Sequence, residues 1–210
     1  MLNSPSNQRS VSEYSKLLHV QGWVANHDGN VSVRLPDEKR FMATPTAMSK
    51  RCIEPHDVLT IDIEAKVLSG RKRVFSEWHL HAACYRARPD VGAVIHAHPP
   101  FATAFAVARK SLGVPAMPEI IVSLGASIPL IPYALPKSKE QDLQIEHALK
   151  NLNNAMLISA NGALTVGVDL EQAYLRLELV EHYAKIVMAS QSLGGLVELG
   201  AQDVEKLVKR

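Results

Sequence analysis

The sequence predicts an α/β fold: a mostly antiparallel or mixed sheet layered with helices. Three observations carry that prediction. Short β-rich runs and amphipathic helical runs are interleaved along the chain. Several β-rich runs are neighbours with only a turn between them, as antiparallel partners are. The chain has 210 residues, 47% hydrophobic and 21% charged, enough for a sizeable core in an ordinary globular composition. Residues 1–210 read as one domain, with no repeat, no low-complexity segment and no linker.

The elements follow in order. Ser10 and Glu13 make an S-x-x-E capping box that opens a first helix ending near Gly22. In "NVSVRL", Val31, Val33 and Leu35 alternate as in a half-buried strand, and "RFMAT" is its partner. "DVLTIDI" is a further strand, followed by a turn at Gly70-Arg71. Ser76 is placed to cap a helix over "EWHLHAACYRAR", which stops before Pro89 because a residue preceding proline avoids the helical region. "VGAVIHAH" is a short strand and "FATAFAVARK" a helix. "SIPLIPY" is an edge or short strand, since its prolines cannot donate to a ladder. A helix spans 138–150. "AMLISA" and "ALTVGV" are strands around the turn dipeptide Asn161-Gly162. Asp169 and Gln172 open a helix with Leu170, Ala173, Tyr174, Leu177 and Val180 on one face, and a short helix ends the chain.

The formal net charge is +2, and Lys and Arg are scattered, so nothing calls for nucleic acid or an anionic membrane surface. Cys52 and Cys84 are far apart and have no metal-ligand spacing, which favours a reducing compartment over a disulfide framework. "MLNSPSNQRS" lacks the apolar core of a signal peptide, and no apolar run approaches membrane-span length. The expectation is a soluble cytoplasmic protein.

The residues with most chemistry are in "VIHAHP". On a strand, His96 and His98 share a face with Cβ atoms roughly 7 Å apart, close enough to converge on one metal. The same pair also fits two incidental imidazoles near a strand end. Glu77, at the start of the preceding helix, either completes a His₂Glu set with an open coordination position or simply favours the helix dipole. His81 lies four residues on, on the same helix face, and packs or supports rather than ligates; His79 faces elsewhere. Gly29-Asn30 is either an anion-binding turn or an ordinary one. Thr46, in "ATPTAMSK", either donates to a phosphate or caps its turn.

"GNVSVR", "TPT", "SEWHLH", "RPDVGAVIHAHP", "IPYA" and the strand–Asn-Gly–strand before "LEQAYLRLELVEHYAKI", in that order, resemble the class II aldolase/adducin family over roughly residues 8–190. The resemblance implies a three-layer α/β/α fold, a homotetramer with sites between subunits, and a bound divalent ion, Zn²⁺ first, with Mn²⁺ or Mg²⁺ as alternatives. It implies that His96 and His98 hold the ion. Glu77 is implied as ligand and catalytic base, and Gly29, Asn30, Thr46 and Ser76 as residues lining a phosphate site. The implied reaction is reversible cleavage of a small ketose phosphate, such as L-fuculose phosphate, through an enediolate that the ion stabilises. The family's alternatives are epimerases, dehydratases, decarboxylases and metal-depleted binding proteins.

The chain also departs from the family. Asn161 stands where its aldolases carry a third metal histidine, so an amide oxygen or water completes the set and favours oxygen-tolerant ions. Phe75 replaces a phosphate-contacting serine, and Ala47 a glycine. Glu119 stands at the place of a tyrosine proton donor and is taken as a second catalytic residue.

Overall fold

The structure is a computed structural model that describes residues 5–37, 39–112, 115–135 and 138–208. The strands are β1 (Asn30–Arg34), β2 (Arg40–Ala43), β3 (Leu59–Asp62), β4 (Val67–Ser69), β5 (Ala93–Ala97), β6 (Leu130–Ile131), β7 (Ala155–Ile158) and β8 (Ala163–Gly167). The helices are α1 (Pro5–Val20), α2 (Trp78–Ala87), α3 (Pro100–Ala108), α4 (Pro118–Leu124), α5 (Lys139–Lys150), α6 (Leu170–Ser190) and α7 (Ala201–Val208).

Among the described residues the strands form one sheet in the order β4-β3-β2-β1-β5-β8-β7-β6. Every neighbouring pair is antiparallel except β6 and β7. Those two run parallel, with α5 as the helix between them, because a parallel pair needs a long crossover.

The sheet separates two apolar cores. On one face Val31, Ile95, Leu157 and Ala163 pack under α1, α3, α4 and α6, which supply Leu18, Ala106, Ile120 and Leu177. On the other face Val94, Met156, Leu164 and Val166 pack under α2 and α5, which supply Leu80, Tyr85, Ile145 and Leu149. The architecture is therefore three-layer α/β/α. Burial on both faces explains why β5, β7 and β8 are apolar throughout.

Several expectations are corrected. Helix α1 begins at Pro5, so Ser10 lies inside it, and its hydroxyl bonds back to Ser6 O instead of forming a capping box. Ser76 does not cap α2: the N-cap is Glu77, with no side-chain capping bond. The β7–β8 connection spans Ser159–Gly162, not a two-residue turn, with left-handed backbone at Ala160 and Gly162. Strand β4 is too short to carry alternation, and α4 starts on a proline in a run without helical periodicity, so neither was expected. β1 is not half-buried, because Asn30 and Ser32, its polar positions, are 2% and 0% exposed beneath α2. The cap at Asp169 is as expected, with its carboxylate accepting from Gln172 N at 2.8 Å.

Candidate active site

β5 delivers the first imidazole. Alternation puts Ile95 in one core and His96 on the α2 side of the sheet, fully buried. His98 lies one residue past the strand, its backbone N–H held by Trp23 O at 2.9 Å. The two rings stand edge to face with centroids 5.2 Å apart, so the strand geometry does bring them together.

Each imidazole is held through Nδ1. His96 Nδ1 donates to Ala163 O at 3.0 Å, and His98 Nδ1 lies 3.0 Å from Asp28 Oδ2. Each Nε2 is buried and, among the described residues, has no hydrogen-bond partner. A bare, buried Nε2 with an oxygen behind Nδ1 is how metal-ligating histidines are oriented and how their tautomer is set. Burial pushes the His96 pKa down, opposed by the Glu77 carboxylate, so this ring stays neutral and able to bind a cation.

Glu77 completes the cluster from the N-terminal end of α2. Its Oε1 is 3.6 Å from His96 Nε2. Asn161 Nδ2 donates to Oε1 at 2.7 Å and Asn30 Nδ2 to Oε2 at 2.9 Å. Burial opposes ionisation here, but the His96 ring, which is protonated only at low pH, and the two amides outweigh it and hold the carboxyl at about 2. Glu77 and Asn161 line a cavity of about 220 Å³ together with Ser76, His79 and Tyr133. A larger cavity of about 530 Å³ lies over α6 beside Trp23 and His182, and none of His96, His98 and Glu77 lines it.

Asn161 presents its amide nitrogen to Glu77, as a donor to the carboxylate. Among the described residues no group of three or more His, Cys, Asp or Glu side chains gathers closely enough to hold a metal. Two imidazoles and a carboxylate are the right donor types for a divalent cation, and the two bare Nε2 atoms fit one.

The residues expected at an anion site are more dispersed. Gly29 has φ +70°, and an added Cβ would meet Val24 Cγ1 at 2.5 Å, so the turn requires glycine. Ala47 has a left-handed backbone, φ +58°, a conformation that favours glycine. Thr46 is half-buried with its N–H bonded to Arg73 O, and Ser76 is exposed. Asn30 is engaged inside the chain, between Glu77 and His81. Phe75 faces the core, its ring 4.9 Å from that of His81. Glu119 is exposed on α4, across the sheet from α2, so one chain does not bring it to the cluster.

Sequence reasoning missed two supports. Asp28, just before the Gly29-Asn30 turn, stands behind His98. Lys50 is 2% exposed and donates to His27 O and Met48 O, tying the loop before β1 to the loop after Pro45. Burial pushes its ammonium down to about 8, against the pull of Asp28 and Glu77. Neither residue has a local motif that would mark it.

Gly162 closes the site from the β7–β8 turn. It has φ +79°, and an added Cβ would meet His98 Cδ2 at 2.5 Å and also strike Ala97 O. Gly162→Ala is expected to cost about 2 kcal/mol or more, read as a shift in the denaturant midpoint, with His98 displaced. An unchanged midpoint would contradict this account of the turn.

A three-layer α/β/α fold whose central strand ends in two bare imidazole nitrogens beside a carboxylate defines a class of protein whose donor types suit a divalent cation. The chain belongs to the class II aldolase and adducin N-terminal domain family, whose model matches residues 9–188. The L-fuculose phosphate aldolase of Escherichia coli K12 is 34% identical over 166 residues, covering 79% of this chain and 74% of that protein. The 5-deoxy-D-ribulose 1-phosphate aldolase of Bacillus thuringiensis serovar kurstaki is 25% identical over 206 residues, covering 97% and 94%. A solved L-fuculose 1-phosphate aldolase superposes with a TM-score of 0.90 at 27% identity, covering 99% of this chain and 97% of that one.

Proposed function

We propose that this protein is a divalent-metal-dependent aldehyde-lyase that reversibly cleaves a small ketose phosphate. The observation that carries the reading is the pair of buried, unpartnered Nε2 atoms of His96 and His98 beside Glu77. The family and its sugar-phosphate aldolases support it.

In this reading His96, His98 and Glu77 hold the cation, with Asn161 or water completing the set. The ion supplies Lewis acidity toward the hydroxyketone oxygens of the substrate. Glu77, kept ionised by Asn30 and Asn161, takes a proton from the substrate and returns it. Ala163 O and Asp28 keep the two imidazoles facing inward. Gly29, Thr46 and Ser76 line the substrate phosphate, and Asn30 fixes the Glu77 carboxylate beside it. The donor set suits Zn²⁺, and the amide oxygen of Asn161 favours Mn²⁺ or Mg²⁺ more than a third imidazole would. Glu119, exposed on the far face, serves as proton donor only to a neighbouring subunit, which fits a homotetramer with shared sites.

A second reading, a metal-free binding protein on the same scaffold, is favoured by one observation: the Asn161 amide is turned to Glu77 as a donor.

Elemental analysis of the purified protein, with a cleavage assay on L-fuculose 1-phosphate and related ketose phosphates in added Zn²⁺ or Mn²⁺, separates the two. The lyase reading expects a retained divalent ion and an aldehyde product. No retained ion and no turnover would leave the second reading. Epimerised or dehydrated product would move the chain to another enzyme of the same chemistry.

A further inference from the structure

Beneath Glu77 runs a buried line of polar side chains that the reaction does not touch. Tyr85 OH and Ser32 Oγ are 2.7 Å apart, Ser32 Oγ and His81 Nδ1 2.7 Å, and His81 Nε2 and Asn30 Oδ1 2.6 Å. Asn30 Nδ2 then meets Glu77 at 2.9 Å. Ser32 and His81 are fully buried, Asn30 is 2% exposed and Tyr85 3%.

The orientation of one amide decides the direction of the bonds. Asn30 presents its nitrogen to Glu77 Oε2 and its oxygen to His81 Nε2, and an amide oxygen can only accept. His81 must therefore carry its proton on Nε2. Burial drives its pKa well below the usual histidine range, so the ring is neutral and Nδ1 is bare. Ser32 must donate to Nδ1, and Tyr85 to Ser32. Each bond in such a run polarises the next. The ring of His81 is walled by Phe75, with centroids 4.9 Å apart, and stacked on Trp78 at 6.0 Å, so water does not compete for it.

We infer that His81 is a positioning residue of the site: as the Nε2–H tautomer, fixed by Ser32 and Tyr85, it locks the Asn30 amide so that an N–H always faces Glu77. Without that donor the amide can turn over and set its oxygen against the carboxylate. The role deepens the lyase reading and rests on it for its kinetic consequence alone. It also accounts for Phe75, whose ring shields this line from water.

Nitrogen-15 spectra of the labelled wild-type protein test the tautomer. The resonance that disappears in His81→Gln is expected to show a protonated Nε2 and a bare Nδ1. A charged ring, or a proton on Nδ1, would overturn the inference, and neither result depends on any activity; if His81→Gln does not fold, ring-to-backbone correlations in the wild type assign the resonance instead. His81→Gln keeps a donor and an acceptor, whereas His81→Leu keeps neither. The Asn30 side-chain amide signal should hold its position in the first variant and move in the second. Turnover should fall by about tenfold or more in His81→Leu with KM changed by less than about twofold, and be largely restored in His81→Gln. Equal loss of turnover and of Tm in both variants would mean that His81 only supports the fold. A wild type without lyase activity would sink the proposed function and leave the tautomer and the amide signal to decide this inference.

Discussion

Glu77→Gln is expected to lower ketose phosphate cleavage by roughly 10²- to 10⁴-fold, the share that general acid–base catalysis supplies. The side chain keeps its size, so the fold should persist. It loses the ability to take a proton, the negative charge beside His96 Nε2, and one of its two acceptor oxygens for Asn30 and Asn161. Metal retention should fall with it, and the two effects separate if turnover is measured at saturating Mn²⁺. Activity retained near the wild-type level under those conditions would remove Glu77 from the role of base.

The same substitution changes acid stability in a defined direction. The Glu77 carboxyl is held at about 2 against an ordinary 4.5. Its ionised form is favoured in the folded state, so its contribution is fully present above pH 4.5 and is lost as pH falls toward 2. Wild type should therefore lose more stability than Glu77→Gln across that window. Urea midpoints at several pH values measure the difference, and parallel profiles would contradict it.

Asn161→His is expected to raise divalent-metal affinity by about tenfold or more, comparable with the effect of altering groups that only support ligands. The argument is geometric. Asn161 reaches Glu77 Oε1 at 2.7 Å, and that oxygen lies 3.6 Å from His96 Nε2, so residue 161 points to where the bare imidazole nitrogen and the carboxylate converge. Gly162 presses the same turn against His98. An imidazole there adds a third nitrogen and frees Oε1 of its amide donor. Chelator competition with Zn²⁺ and Mn²⁺ reads the change. Unchanged affinity for both ions would mean that the β7–β8 turn does not serve a metal.

The legible parts of the molecule are those written in local periodicity. Val31 and Val33 alternate into the core under α1 and α6, Leu170 to Val180 line the buried stripe of α6, and Arg88 leaves the helix before Pro89. His96 and His98 were legible as a pair because strand alternation needs only two neighbours. The capping motif at Ser10 misled because helix α1 continues in the N-terminal direction, and a serine inside a helix can bond back to the preceding turn. Ser76 misled because the chain enters α2 one residue later.

The sequence by itself determined the mixed sheet with its helical layers, the family, and which residue types stand at each position of the motif: a carboxylate at 77, imidazoles at 96 and 98, an amide at 161. Only the tertiary structure decided what those groups do to one another. Asn30 and Asn161 reach Glu77 across 47 and 84 positions of chain, and Asp28 and Ala163 O stand behind the imidazoles. Asn30, read as an anion contact, became the link between Glu77 and His81 because β1 lies in the middle of the sheet with both faces covered. A polar side chain buried there has no water to turn to, and strand register, not sequence spacing, selects the partner that satisfies it.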